Sequence, residues 1–247
     1  MAGVKRSRLA SLPLMGDLEE VRVDGVRLTY RTWGPADGSP AVLLHCLGED
    51  GSDWAEVASW LALGGHRVYA PDLRGHGGSD WPGEYALPRM RDDVTGFLAA
   101  LGLARVTLMG HSLGGAVAQL VTAAAPARVG RLVLEDVPPL VPADPPLVVP
   151  ERPAGPLGFD WAVKEQLTAQ RNAPDPRWWA ELASFTAPTL VVAGGTTSHL
   201  PQELIAAAAE RIPDCRLVTV EGAGHLVHTA RPREFRAAVE EFLAATA

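Results

Sequence analysis

The apolar positions of this chain come in short runs of strand length, set between segments whose apolar residues recur at helical spacing. Val21 to Trp33 predicts two short strands around Asp24-Gly25, a turn pair suited to a hairpin. Ala41-Val42-Leu43-Leu44 is continuous rather than alternating, which suits a strand covered on both faces, and it stops at His45. A helix is expected over Trp54 to Leu63, a strand at Arg67 to Ala70, and a glycine-rich loop at Asp72 to Asp80. Pro88 to Leu101 places Met90, Val94, Phe97, Leu98 and Leu101 near helical spacing. Arg105 to Met109 then reads as a strand, Gly115 to Leu120 as the start of a helix, and Arg131 to Leu134 as a strand ending at Glu135-Asp136.

The rhythm breaks at that point. Eight prolines between Pro138 and Pro156 forbid a long helix or a central strand. Helices are expected at Phe159 to Gln170 and around Trp178 to Phe185. Strand Thr189 to Ala193, helix 201–211, strand Leu217 to Val220 and helix Pro232 to Leu243 then restore the alternation. Strands alternating with helices imply an α/β fold with a mainly parallel sheet and helices on both faces. The expected organisation is a loose arm at 1–17, a first part of the core at 18–137, a cap inserted at 138–186, and the rest of the core at 187–247.

Composition narrows the class. In 247 residues, apolar content of 47% with 21% charged residues fits a soluble globular protein. A net charge of −7 without a basic cluster argues against a nucleic-acid partner. No apolar run reaches membrane-spanning length, and Leu9 to Met15 is short for a signal-peptide core, so a cytoplasmic location is expected. Cys46 and Cys215 do not make a disulfide scaffold and are expected to be buried thiols. The seven histidines lack H-x-x-x-H spacing, and neither glycine-rich segment is a phosphate loop. No metal and no cofactor are implied.

Candidate chemistry centres on Gly110-His111-Ser112-Leu113-Gly114. This is G-x-S-x-G between a strand and a helix, a turn that aims a serine hydroxyl away from the sheet beside free helix N–H groups. Leu113, next after the serine, would give one N–H to an oxyanion. A serine nucleophile needs a base, and His225 follows the last strand in Glu221-Gly222-Ala223-Gly224-His225. A loop at the carboxyl end of that strand can reach the ligand crevice of a parallel sheet. His228 is the competing base.

Four segments, in this order, resemble the α/β-hydrolase family in its branch with a small cap after the sixth strand. They are His45 to Gly48, Asp72-Leu73-Arg74-Gly75-His76-Gly77-Gly78-Ser79, Gly110 to Gly114, and Gly224-His225. The resemblance spans roughly residues 19–246. It implies an eight-stranded, mainly parallel sheet, and a second oxyanion N–H from Leu47. Cys46 stands where the family usually has glycine. Thr197 stands where the family most often places its acid, after the seventh strand. Family members can instead take the acid from the end of the sixth strand, which implies Asp136, with Glu135 as the alternative.

Family members usually hydrolyse esters, lactones, amides, epoxides or carbon–halogen bonds. Serine at position 112 disfavours the last two, which need a carboxylate nucleophile. The expected activity is therefore a serine hydrolase cleaving a carboxylic ester or lactone through an acyl-enzyme. Hydrolysis of a C–C bond, amide or peracid is the alternative, followed by a non-hydrolytic enzyme or ligand-binding protein on the same fold. Trp54, His111, Leu140, Phe159, Trp161 and Trp178 are the expected pocket residues and favour an apolar or aromatic small-molecule substrate. Homo-oligomerisation is left open.

Overall fold

The computed structural model describes residues 15–137 and 140–246. Residues 1–14 of the expected arm lie outside the described residues, as do Pro138 and Pro139. Eight strands form one sheet: β1 (Asp17–Val23), β2 (Val26–Trp33), β3 (Ser39–Leu44), β4 (His66–Pro71), β5 (Val106–His111), β6 (Val129–Glu135), β7 (Thr189–Ala193) and β8 (Cys215–Thr219). Their spatial order is β1-β2-β4-β3-β5-β6-β7-β8. The β1–β2 and β2–β4 pairs are antiparallel and all others are parallel.

Strand alternation divides the core into two layers. Val42, Leu44, Leu108, Leu132 and Leu134 point to one face. There they meet α2 (Leu87–Ala100), α3 (Leu113–Ala124) and α6 (Gln202–Arg211). Leu43, Met109, Val133, Leu190 and Val192 point to the other face, against α1 (Ala55–Leu63) and α8 (Pro232–Ala245). Burying both faces explains the continuous apolar runs, since each fully buried Leu or Val contributes about 1.5–3 kcal/mol. Among the described residues no helix is long and apolar enough to cross a membrane.

β1 starts at Asp17, inside the segment expected as arm. Its residues 17–20 are exposed. It is held by ladder pairing to β2 from Asp17 opposite Thr32 onward, and by Glu19, which accepts from Tyr30 and Thr32 side chains. An exposed stretch of edge strand needs no apolar pattern, so none marks residues 17–20, and the sequence shows the strand only from Val21.

The inserted region after β6 carries α4 (Trp161–Asn172), α5 (Pro176–Glu181) and a short 3-10 turn at Leu182–Ser184. The proline-rich part before α4 forms no helix or strand among the described residues. The cap docks on the glycine-rich loop. Gly77 N–H donates to Gly158, Asp160 N–H to Gly75, and the Tyr85 hydroxyl to Asp160. Gln166 and Gln170 of α4 accept from the Tyr85 and Leu87 N–H groups, both at 2.7 Å. His76 stacks on Phe159 with ring centroids 5.6 Å apart. The segment from Asp72 to Ser79 thus anchors the cap to the core.

Two buried ionic contacts hold that loop. Asp72 accepts from Thr29, Gly51 and Gly78. Arg74 forms a two-pronged pair with Asp93 of α2 and donates to the Glu84 carbonyl. Removing one member of a buried pair strands the other charge. Arg74→Leu is expected to lower unfolding free energy by about 3–5 kcal/mol, measured by urea denaturation. Arg74→Leu with Asp93→Leu should be less damaging than Arg74→Leu alone; an equal or greater loss would count against the stranded charge as the cause.

Candidate functional site

Strand order reverses around β3: the chain passes from β3 to β4 on one side, then crosses to β5 on the other. Crevices at such reversals open at the carboxyl ends of the strands. Every residue expected from the sequence to do chemistry follows such an end. Leu47 follows β3, Ser112 follows β5, Asp136 follows β6, and His225 lies on the loop after β8.

Ser112 has φ 50° and ψ −110°, a conformation disfavoured for a residue with a side chain. The turn is possible because its flanks are glycine. A Cβ on Gly110 would come within 2.5 Å of the Gly114 carbonyl, and one on Gly114 within 2.2 Å of the Leu44 carbonyl. The Ser112 N–H is tied to the Glu135 carbonyl. Leu113 opens α3, so its N–H has no acceptor within the helix. Leu47 N–H also has no acceptor among the described residues. Its loop is fixed by His45, which is fully buried. The imidazole Nε2 accepts from Leu73 N–H, so Nδ1 carries the proton and donates to Cys46 O at 2.7 Å. Burial keeps His45 neutral by lowering its pKa, and raises that of the Cys46 thiol, leaving it unreactive.

Asp136 sits at the end of β6 with φ 41° and no exposed surface. Its Oδ2 accepts from His225 Nδ1 at 2.7 Å and from the Ser198 hydroxyl at 2.5 Å. Its Oδ1 accepts from Gly194 N–H at 2.9 Å and Gln202 Nε2 at 3.2 Å. Burial alone would raise this carboxyl; the four hydrogen bonds, His225 first, outweigh it and hold the pKa below the usual value. The His225 ring is partly exposed and lies 4.7 Å from the His111 ring and 4.5 Å from the His199 ring, centroid to centroid. His111 donates from Nε2 to the His225 carbonyl at 2.8 Å. The hydroxyl of Ser112 and Nε2 of His225 make no hydrogen bond among the described residues, which leaves both available.

Glu135 turns the opposite way. It accepts from His228 Nδ1 at 2.8 and 2.9 Å and from the His228 main-chain N–H at 2.8 Å. His228 Nε2 lies 3.4 Å from Asp53 Oδ2, and its ring stacks on Trp54 at 4.5 Å. Burial would lower this imidazole, but the Glu135 and Asp53 carboxylates prevail and push it up to about 10. Glu135 and His228 are thus engaged with each other in a buried pair.

Donor atoms of Cys46, Asp53 and His111, and of His111, Glu135 and His228, lie within 4.8 Å of one another. These are the residues that could hold a metal. The Glu135–His228 hydrogen bonds already account for much of that arrangement.

The expected pocket residues separate. Phe159 stands over the β3 loop, its Cε1 3.7 Å from where a Cβ on Gly48 would sit, and Trp161 adjoins it. His111 backs the His225 loop. Trp54 is fully buried behind the sheet against His228 and Phe235, a packing position. Leu140 belongs to the main core. Trp178 borders a small groove beside α2 and α3, away from Ser112. Their apolar character alone could not tell a pocket wall from cap-to-core packing. The sequence does not mark Ser198 or Gln202: it shows only the absence of an acid at Thr197, and the hydroxyl one residue later approaches Asp136 through the fold.

The buried pair carries a pH signature. The folded-state pKa of His228 lies above its ordinary value of 6.5, so its stabilisation is fully present below pH 6.5 and is lost as pH rises through about 10. His228→Asn should therefore lower Tm strongly at pH 6 and progressively less toward pH 10. A deficit that stays constant across that range would refute the charged pair.

The residues 41–238 match the model of the alpha/beta hydrolase family. The chain is 34% identical over 163 residues to a non-heme chloroperoxidase of Streptomyces lividans, covering 65% of this chain and 56% of that protein, little more than half its length. It is 26% identical to the sn-1-specific diacylglycerol lipase ABHD11 of Mus musculus, covering 85% of this chain and 83% of that one. Among solved structures it is similar to Est816, described as an N-acyl homoserine lactone degrading enzyme, at 26% identity and TM-score 0.78, covering 91% of this chain and 100% of that one. With the matched region running from β3 into α8, the chain belongs to the α/β-hydrolase family.

Proposed function

We propose that this protein is a serine hydrolase that cleaves a carboxylic ester or lactone of an apolar or aromatic small molecule. The observation that carries the reading is the Asp136–His225 contact at 2.7 Å beside a strained serine elbow. His225 takes the Ser112 proton, and Ser112 attacks the carbonyl. The Leu47 and Leu113 N–H groups meet the charge developing on oxygen. Asp136, ionised and holding Nδ1–H, keeps Nε2 free as acceptor and stabilises the imidazolium. The imidazolium passes its proton to the leaving alcohol. The same histidine then activates the water that releases the acid.

The names of relatives differ in substrate. One is named a diacylglycerol lipase, and another is described as degrading N-acyl homoserine lactones. A further relative is named a non-heme chloroperoxidase, a little more than half of which this chain covers. Phe159 and Trp161 favour an apolar or aromatic group on the substrate.

Chromogenic short-chain esters test the reading. 4-Nitrophenyl butyrate should release a burst of nitrophenol, and Ser112→Ala should abolish it. Asp136→Asn should lower kcat about 10²–10⁴-fold, the upper figure being the effect known for the corresponding change in a serine protease. Thr197→Ala should change it less than about threefold, as expected where no reacting group is removed. Near-wild-type turnover in Asp136→Asn would reject the acid assignment, and full turnover in Ser112→Ala would reject the nucleophile.

A further inference from the structure

A cleft of about 620 Å³ lies between the proline-rich segment, the end of α4 and the loop after β7. Val141, Leu147 and Leu200 supply apolar wall, while Arg171 and His199 supply its positive and polar side. The His199 ring touches His225 at 4.5 Å between centroids, so the cleft adjoins the proposed base.

Arg171 is unlike the other sheltered arginines. Arg27, Arg31, Arg74 and Arg91 each have a carboxylate partner, Arg67, Arg128 and Arg131 donate to oxygens, and none of these seven is exposed. The Arg171 guanidinium is half-buried and has no hydrogen bond or ion pair among the described residues. Asp144 and Glu203 border the same cleft but lie beyond ion-pair distance. Residues outside the described set carry no acidic side chain.

Lys164, one of two lysines in the chain, lies seven residues earlier on the same face of α4, half-buried and also unpaired among the described residues. Both positive charges bear on His199. Sheltering a cation without a partner is unfavourable. A bound anion removes that cost, and a guanidinium fits a carboxylate with two parallel hydrogen bonds. Arg171 lines the cleft itself, and Lys164 lies one to two turns away on α4, outside the lining.

We propose that this cleft is an anion subsite, in which Arg171 binds a carboxylate carried by the ester or lactone substrate. This rests on the ester-hydrolase reading and adds the substrate's charge to it. The enzyme then selects anionic acyl compounds by contact beside the base.

Paired substrates test it. On the acyl side, 4-nitrophenyl hydrogen glutarate is compared with 4-nitrophenyl valerate; on the alcohol side, 4-butyryloxybenzoate with its methyl ester. In at least one pair the anionic member should have the higher kcat/KM, with the preference shrinking as salt rises. Arg171→Met should cut that anionic-to-neutral ratio about 10- to 100-fold, as loss of a charged hydrogen bond does, and Arg171→Lys should restore part of it. No preference in either pair, or a preference untouched by Arg171→Met, overturns the subsite.

Calorimetric titration of the Ser112→Ala protein with monomethyl glutarate and with 4-hydroxybenzoate reads the subsite without turnover. Binding of either that weakens at least tenfold when Arg171→Met is added supports it, and absence of binding by both overturns it. If no ester is hydrolysed while this binding persists, the hydrolase reading fails and the anion subsite stands.

Discussion

The buried carboxylate of Asp136 joins more separate parts of this molecule than any other single contact around the crevice. Hydrogen bonds reach it from the β7 loop through Gly194 and Ser198, from α6 through Gln202, and from the final loop through His225. An anion without solvent is tolerated only when such donors surround it. Its ionised state and the placement of the His225 ring are therefore one condition. Ser198, the neighbour of Thr197, donates to this carboxylate, which comes from the end of β6.

A second ionic contact backs the first. Adjacent residues of a strand project to opposite faces, so Glu135 points away from Asp136 and meets His228, three residues beyond His225. His111 bridges the two halves, donating to the His225 carbonyl while its ring lies 5.6 Å from that of His228. The short loop between them is held at both ends, by Asp136 at His225 and by Glu135 at His228. Such precision suits a proton-transfer group, where misplacement by an ångström is costly.

The cap and the glycine-rich loop form a coupled layer above this frame. Asp72 and the Arg74–Asp93 pair fix the loop, and the loop accepts the cap through main-chain and glutamine hydrogen bonds. His45 ties the same loop to the β3 turn that carries Leu47. The walls of the crevice and the candidate oxyanion amide thus share one support. Arg171 of α4 and His199 line one cleft of this layer.

Local pattern determined a great deal. Continuous apolar runs bounded by glycine and proline announced both-face burial and the strand alternation, because that periodicity is imposed by the backbone itself. Glycines around Ser112 announced a turn in which no side chain fits, and the proline run announced an irregular insertion. Those features depend on a few neighbouring residues. What only the tertiary structure decided was which distant groups meet: Asp136 with His225 and Ser198, Glu135 with His228, Trp54 packed behind the sheet, and Arg171 left without a partner among the described residues. The start of β1, residues 17–20, escaped detection because these exposed residues are held by ladder hydrogen bonds rather than by burial. Ion pairing, ring stacking and sheltered charge are properties of positions far apart in the chain, and no local periodicity encodes them.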